Sequence, residues 1–217
     1  MSSDRIRIVE NEVHAALKPL GYKKKARTWN RTAEPGVVHV IQMQLGRFDP
    51  PGTVEIPGVR ENMHGRFTIN VGVYVAEVEQ HLSAFAANRS ETIAEPRCCV
   101  RTRLAQIAGD PDTWWPSAAT DASLSDIVTR LRRDALPFLD EVGTRDGVVR
   151  ISASHTPEEH WGSRRPIIGA VILATRGDLD AARPLFEAAN RYELERSSTQ
   201  TTYARDLAAR FGIQLDP

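Results

Sequence analysis

The stretch RFTINVGVYV, Arg66 to Val75, decides the fold class. Phe67, Ile69, Val71, Val73 and Val75 are apolar and occupy every second position, with Thr68, Asn70, Gly72 and Tyr74 between them. Strict period-two alternation is the pattern of a strand with one face in a core and the other in a wetter setting. A helix would scatter the same five side chains around its circumference. β-Branched and aromatic residues dominate, as a half-buried pleated surface prefers. The stretch therefore reads as a central strand of a sheet.

Working outward, Ile6, Val9, Val13, Ala16, Leu17 and Leu20 recur at helical spacing and predict a leading helix that Gly21 stops. Tyr22 to Arg31 reads as a first strand, Thr32 to Gly36 as a turn and Val37 to Leu45 as a second strand. Gly46 to Gly65 is rich in Pro and Gly and reads as a long functional or mobile loop. Val78 to Asn88 suits a short helix, and Arg97 to Leu104 a fourth strand. Leu124, Ile127, Val128 and Leu131 mark a helix that Pro137 should end or kink. Beyond Gly143 the composition shifts toward helices, with Val148 to Ile151 as the one strand candidate and Thr156-Pro157-Glu158-Glu159 as a helix start. Ile167, Ile168, Val171 and Ile172 form one stripe, and Leu179, Ala182, Leu185, Phe186 and Ala189 the next, separated by Gly177-Asp178. That pair resembles a single tetratricopeptide-like hairpin, and without a second copy it reads as a helical hairpin packed on the sheet domain. The expected fold is α+β: an antiparallel sheet of about four strands with helices on one face over residues 1–142, and a helical extension over 143–217.

Composition narrows the function classes. Lys plus Arg and Asp plus Glu are 28 each, so the formal net charge is zero, which argues against a dedicated nucleic-acid binder. The longest apolar run, Ile167 to Ala174, is too short for a membrane span. The charged start of the chain lacks the apolar core of a signal peptide, so a cytoplasmic location is expected. Cys98 and Cys99 are adjacent, a strained geometry for a disulfide, and read as buried, reduced thiols.

LKPLGYKKKARTWNR, VVHVIQMQLG, FTINVGVYV, RTRLAQI and the DTWW block together resemble a bacterial family of unknown function, number 4304 among the domains of unknown function. In that family a helix ends in a Leu-Gly-aromatic-Lys-Lys block followed by a Trp. A Phe-Thr-x-Asn-x-Gly strand, an Arg-x-Arg segment and a Trp-Trp pair come after it. The likeness runs roughly from Ile6 to Leu139. Ala26 stands where the family pattern leads us to expect a small residue or Gly. The resemblance implies a shared fold and no particular chemistry.

The candidate site is the polar parity of the strands. Lys23, Lys25 and Arg27 share one parity of the first strand, and Arg101 and Arg103 one parity of the fourth. Gln42, Gln44, Asn70 and Tyr74 occupy the non-core parity between them. If the strands join in one sheet, guanidinium groups, amides and a phenol line one surface, which could take an anionic ligand or an acidic protein partner. Trp29 shares the Lys23 parity, so which side of the first strand faces the core is open. Two adjacent indoles cannot both point inward; Trp115 completes the candidate set as a surface contact. The six histidines lack ligand spacing, and HTPEEH does not place two on one helical face, so no metal or cofactor is expected. No phosphate loop, nucleophile elbow or dinucleotide fingerprint occurs. The reading is a non-enzymatic binding module for a protein partner or anionic ligand, an immunity-type inhibitor being one form. The alternative is an enzyme with an unrecognised site that uses Arg101 or Arg103 on an anionic substrate. A third option is a scaffold whose helical extension makes a homodimer.

Overall fold

In the computed structural model the chain opens with helix α1 (Ser3–Leu17), extended by a 3-10 turn (Lys18–Leu20) and stopped by Gly21 at φ 85°. Strands β1 (Lys23–Lys25), β2 (Thr28–Glu34), β3 (Val37–Leu45) and β4 (Arg66–Val75) follow. Helix α2 (Ala76–Leu82), a 3-10 turn (Glu95–Arg97), strand β5 (Val100–Arg103), helix α3 (Leu104–Ile107) and strand β6 (Trp115–Pro116) come next. Helices α4 (Asp121–Arg130), α5 (Leu136–Val142), α6 (Arg145–Ala153), α7 (Pro166–Thr175), α8 (Leu179–Arg196) and α9 (Tyr203–Arg210) complete the chain. The structure describes residues 3–46, 52, 54, 56, 63–82, 91–118, 120–154, 166–196 and 203–215. The Thr156–Glu159 helix start and most of the Gly46–Gly65 loop lie outside them, as does the part of the Val78–Asn88 helix beyond Leu82.

The fold is α+β, with an antiparallel sheet in the order β1-β2-β3-β4-β5 and β6 paired to β4 beyond the end of β5. The expected alternation of β4 holds: Phe67, Ile69, Val71, Val73 and Val75 are all buried in the main core. Cross-strand partners share a face, so the register carries this parity to Ile41 and Met43 of β3, and from Ile41 to Trp29 of β2. Helices cover this face. Val9, Val13 and Leu17 of α1, Ile127 of α4 and Leu139 of α5 close one apolar core with it, which continues through α7, α8 and α9 to Ile213.

Four sequence expectations change. The sheet has five strands plus the two-residue β6, not about four. Tyr22 to Arg31 is two strands, because the chain reverses at Ala26-Arg27, with Ala26 at φ 50° in the left-handed region. The reversal settles the open parity: Trp29 faces the core, while Lys23 and Lys25 pair with Asn30 and Thr28 on the opposite face. Val148 to Ile151 is helical, within α6, where Thr144 caps the start by accepting from the Gly147 N–H. Arg97 to Leu104 is a strand only from Val100, since a 3-10 turn occupies its beginning.

Pro137 does not end its helix. Between α4 and α5 the backbone widens into a π turn (Leu131–Ala135), with the Leu136 N–H donating to the Leu131 carbonyl. Proline lacks an N–H and crowds the carbonyl four residues back, and a widened turn just before it relieves both problems. The hairpin of α7 and α8 forms as expected, with Gly177 at φ 84° as the stop and the Asp178 carboxylate accepting from the Ala181 N–H. Among the described residues no helix is long and apolar enough to cross a membrane.

Candidate functional site

The register places the predicted polar residues on one side of the sheet. Gln42 lies opposite Asn70, Asn70 opposite Arg103 and Gly72 opposite Arg101. Thr28 lies opposite both Lys25 and Gln42, so one row crosses all five strands: Lys25, Thr28, Gln42, Asn70, Arg103. A parallel row holds Lys23, Asn30, Val40, Gly72 and Arg101. Arg27 sits in the turn; its carbonyl accepts from the Met43 N–H at 2.9 Å.

This face is not the bare exterior that the alternation suggests. Residues 93–98 cross it from β2 toward β5 and lie on the second row. The Asn30 amide exchanges two hydrogen bonds with the backbone of Ile93, each 2.9 Å. The Gln42 side-chain carbonyl accepts from the Glu95 N–H at 2.6 Å. Val40, Ile93 and Cys98 make a small apolar cluster beneath. Gly72 permits that closure, since a Cβ there would come within 2.8 Å of the Cys98 Sγ. At the other end Thr68 donates to the Thr113 carbonyl at 3.0 Å.

Two corners of the face remain, and they differ. In the first, Arg97 grips Glu79 through two parallel bonds of 2.5 and 2.6 Å, and the Tyr74 hydroxyl donates to the same carboxylate at 2.8 Å. The Arg97 fork holds the Glu79 carboxyl below its usual range, while burial first, then the Glu79 bond, pushes Tyr74 up to about 12. Tyr74 is thus part of a clamp that fastens α2 and the crossing segment to the sheet.

The second corner is a hollow of about 230 Å³ lined by Gln44, Asn70, Glu95, Arg101, Arg103 and Gln106, together with Thr102. Asn70 donates to the Gln44 carbonyl at 2.8 Å. Arg101 Nε donates to Glu95 at 2.5 Å. The Arg103 guanidinium bonds Asp112 and lies 5.1 Å from the centroid of the Trp114 ring. Arg103 also starts α3, its N–H donating to the Gln106 side-chain carbonyl at 3.2 Å, which brings Gln106 to the rim. Two guanidinium groups, each paired with a carboxylate of the chain, converge here with three amides; forked guanidinium donors are the kind that meet planar anionic groups.

Trp115 is a correction. It is 6% exposed, stacks on Phe67 with centroids 6.0 Å apart, and donates to Asp126 at 3.2 Å. Its pairing opposite core-facing Phe67 fixes it inward, so Trp114, not Trp115, is the indole beside the site. Sequence reasoning also missed Glu95, Gln106 and Asp112. Gln106 carried a signal, standing at the third position of a helix after Arg103; the other two act through contacts that no local pattern reveals.

The remaining nucleophiles and bases lie elsewhere. Cys98 and Cys99 are buried; burial pushes the Cys98 thiol well up and Cys99 to about 12, so neither supplies a thiolate. His39 faces the core. Its Nδ1 lies 3.0 Å from Arg31 Nη2, which can only donate, so Nε2 carries the proton and donates to the Gly143 carbonyl at 2.9 Å. Gly143 has no Cβ because one would strike the His39 ring. Among the described residues no group of three His, Cys, Asp or Glu side chains could hold a metal ion. A larger hollow of about 460 Å³ between α1 and α4 has, among the described residues, Arg5 and Asp121 as its charged lining and none of the predicted residues.

An α+β chain with a partly roofed polar sheet face is the class these features define. The domain of unknown function DUF4304 matches residues 13–141, more than half of the sequence, and the chain belongs to that family. The matched span contains every residue of the hollow. No curated protein and no solved structure matches the chain.

Proposed function

We propose that this chain is a non-enzymatic binding module that takes a carboxylate or phosphate group, on a protein partner or a small ligand, into the hollow beside β5. One observation carries the reading: Gln44, Asn70, Arg101 and Arg103, chosen for their strand parity, line the same small space. Arg forks recognise planar anions through paired hydrogen bonds, and primary amides supply the remaining donors and acceptors. An enzyme would need a general base there. Among the described residues the lining holds no histidine, and its one carboxylate, Glu95, is tied to Arg101.

The clean test is Arg103→Ala rather than Arg101→Ala. Glu95, the partner of Arg101, has a side chain only 9% exposed and would be left as a buried unpaired charge. Asp112, the partner of Arg103, is 41% exposed and stays hydrated. Thermal melts with phosphate, citrate and dicarboxylates should raise the wild-type Tm by about 3 °C for an anion that contributes 1 kcal/mol of linkage. Arg103→Ala should lose that rise while keeping its own unliganded Tm. Equal rises in both proteins would sink the proposal.

A further inference from the structure

The lysines of this chain are all in one place. Of its 28 lysines and arginines only Lys18, Lys23, Lys24 and Lys25 are lysines, and they fall within eight residues. With Arg27 beside them, they stand in a stretch from Val13 to Ala33 that contains no Asp or Glu. The fold makes a knob of this stretch where the end of α1 meets β1, the first strand of the sheet order. The Tyr22 N–H donates to the Leu17 carbonyl at 3.4 Å and the Gly21 N–H to the Lys18 carbonyl at 3.1 Å, the paired bonds of a Schellman turn. Its two ends, Leu17 and Tyr22, are 0% and 2% exposed, so the turn is fastened from beneath, while Lys18, Pro19, Leu20 and Gly21 are all exposed. Leu20 is 41% exposed and stands between Lys18 and Lys23 in the chain. Lys18, Lys23 and Lys25 are exposed, Arg27 is partly so, and none of the four has an ion pair among the described residues. Lys24 alone of the lysines is committed, to Glu10 at 2.9 Å.

We propose that this knob docks the chain on the surface of an anionic lipid bilayer. Leu20 enters the boundary between headgroups and acyl chains, and Lys18, Lys23, Lys25 and Arg27 lie over the headgroup anions. The chain as a whole is neutral, so only a local patch can draw it to such a surface. Residue choice separates lipid from other anions. Protein and nucleic-acid partners are met mainly through Arg forks and aromatic rings, and Lys is depleted at protein interfaces. Here a chain otherwise supplied with arginine gathers its lysines, which are compact, strongly hydrated charges that need no fixed acceptor geometry. Tyr22 and Trp29 of the same stretch are buried, at 2% and 0% exposed, and offer no base a stacking surface. Neither hollow described above is lined by a residue of the knob, and a fluid surface needs no pocket. A basic cluster plus an apolar side chain supplies the two signals that a contact lying on a bilayer requires. The contact does not span the bilayer, and it is independent of the hollow beside β5.

Co-sedimentation of the full chain with vesicles tests this. Phosphatidylcholine vesicles carrying about one-third phosphatidylserine should bind the chain, and pure phosphatidylcholine vesicles should not. Salt at about 0.5 M should release it. Each cation near the surface contributes about fivefold, so Lys23→Gln/Lys25→Gln should weaken partitioning about 25-fold. Arg191→Gln/Arg210→Gln, at two exposed arginines of the helical extension, should leave it unchanged. Leu20→Ser should weaken it about fivefold, since part of that side chain is already buried, without changing the salt dependence. Equal binding to both vesicle types, or none to either, would overturn the proposal. Equal losses from the two double variants would overturn it by making the attraction a matter of overall charge. Unchanged binding by Lys23→Gln/Lys25→Gln would reduce the lysines to guards of a sheet edge, and would overturn it too. Unchanged binding by Leu20→Ser would overturn the insertion of the leucine. Should the lysine variant aggregate, the wild type alone decides: polyglutamate or an oligouridylate bound more tightly than vesicles of equal charge would overturn the lipid assignment.

Discussion

The two corners of the polar face are built from the same materials and behave differently. At one, Arg97 and Glu79 meet through a bidentate fork, Tyr74 caps the carboxylate, and the Glu79 side chain is only 5% exposed. At the other, Arg103 meets Asp112, whose side chain is 41% exposed, and amides line the hollow beside the pair. Both arginines also lie over an aromatic ring, Tyr74 or Trp114, at 5.4 and 5.1 Å. Residue type therefore does not separate a fastening from a site. Burial does: water excluded around Glu79 makes its pairing obligatory, while water around Asp112 leaves that pair exchangeable.

The contrast breaks most visibly at the carboxylates. Glu79→Ala strands a guanidinium that is itself mostly buried and removes the Tyr74 acceptor, and should cost about 3–5 kcal/mol. Asp112→Ala should cost about 0–1 kcal/mol, since its arginine can turn to water. Urea unfolding of the two variants side by side measures both. Similar losses would mean that the clamp and the hollow are energetically the same kind of place, and the distinction drawn here would fall.

His39 extends the comparison to the other side of the sheet. Burial first, then the Arg31 guanidinium, lowers its pKa below the ordinary 6.5, against the opposing pull of the Gly143 hydrogen bond and Asp140. The sign follows from proton counting. Above pH 6.5 folded and unfolded chains both keep the ring neutral, and its contribution is complete. As pH falls below 6.5 the unfolded chain takes a proton that the folded chain refuses, so stability declines until the folded pKa is passed. Wild-type urea midpoints should fall between pH 7.5 and 5.5, and His39→Gln should flatten that slope. Equal slopes would show that Asp140 and the Gly143 carbonyl relieve the burial in full.

How much of this was legible beforehand depends on the range of the signal. The alternation of Arg66 to Val75 is local, and it located a strand, its core face and, through pairing, the parity of Gln42, Gln44, Arg101 and Arg103. The resemblance to the family was legible too, over roughly Ile6 to Leu139 against a match at residues 13–141. What escaped is non-local or hidden in an uncommon conformation. Nothing near Ile93 or Glu95 announces that residues 93–98 will cross the sheet, because the partners are Asn30 and Gln42, more than fifty residues away. The two tryptophans could not be told apart until β6 paired Trp115 with Phe67. The split of Tyr22 to Arg31 was missed because KKKARTW holds no Gly or Asn to announce a turn.

That last miss carries the smallest and sharpest test. Ala26 is the one non-glycine residue with positive φ among the described residues, at 50°. The turn it makes puts Lys23 and Lys25 on the face shared with Arg103 and lets Trp29 face the core. An L-residue in that region costs about 1–2 kcal/mol, which glycine avoids. Glycine returns about 0.4–1 kcal/mol of that through the greater freedom of its unfolded chain. Ala26→Gly should therefore gain about 0.5 kcal/mol, or roughly 1–2 °C in Tm for a chain of this size. Because the turn geometry is kept, the rise in Tm with phosphate should not change. A loss of stability would mean that the pairing of β1 with β2 imposes the left-handed turn at no cost to Ala26. A change in binding would mean that the turn does more than set the lysines' parity.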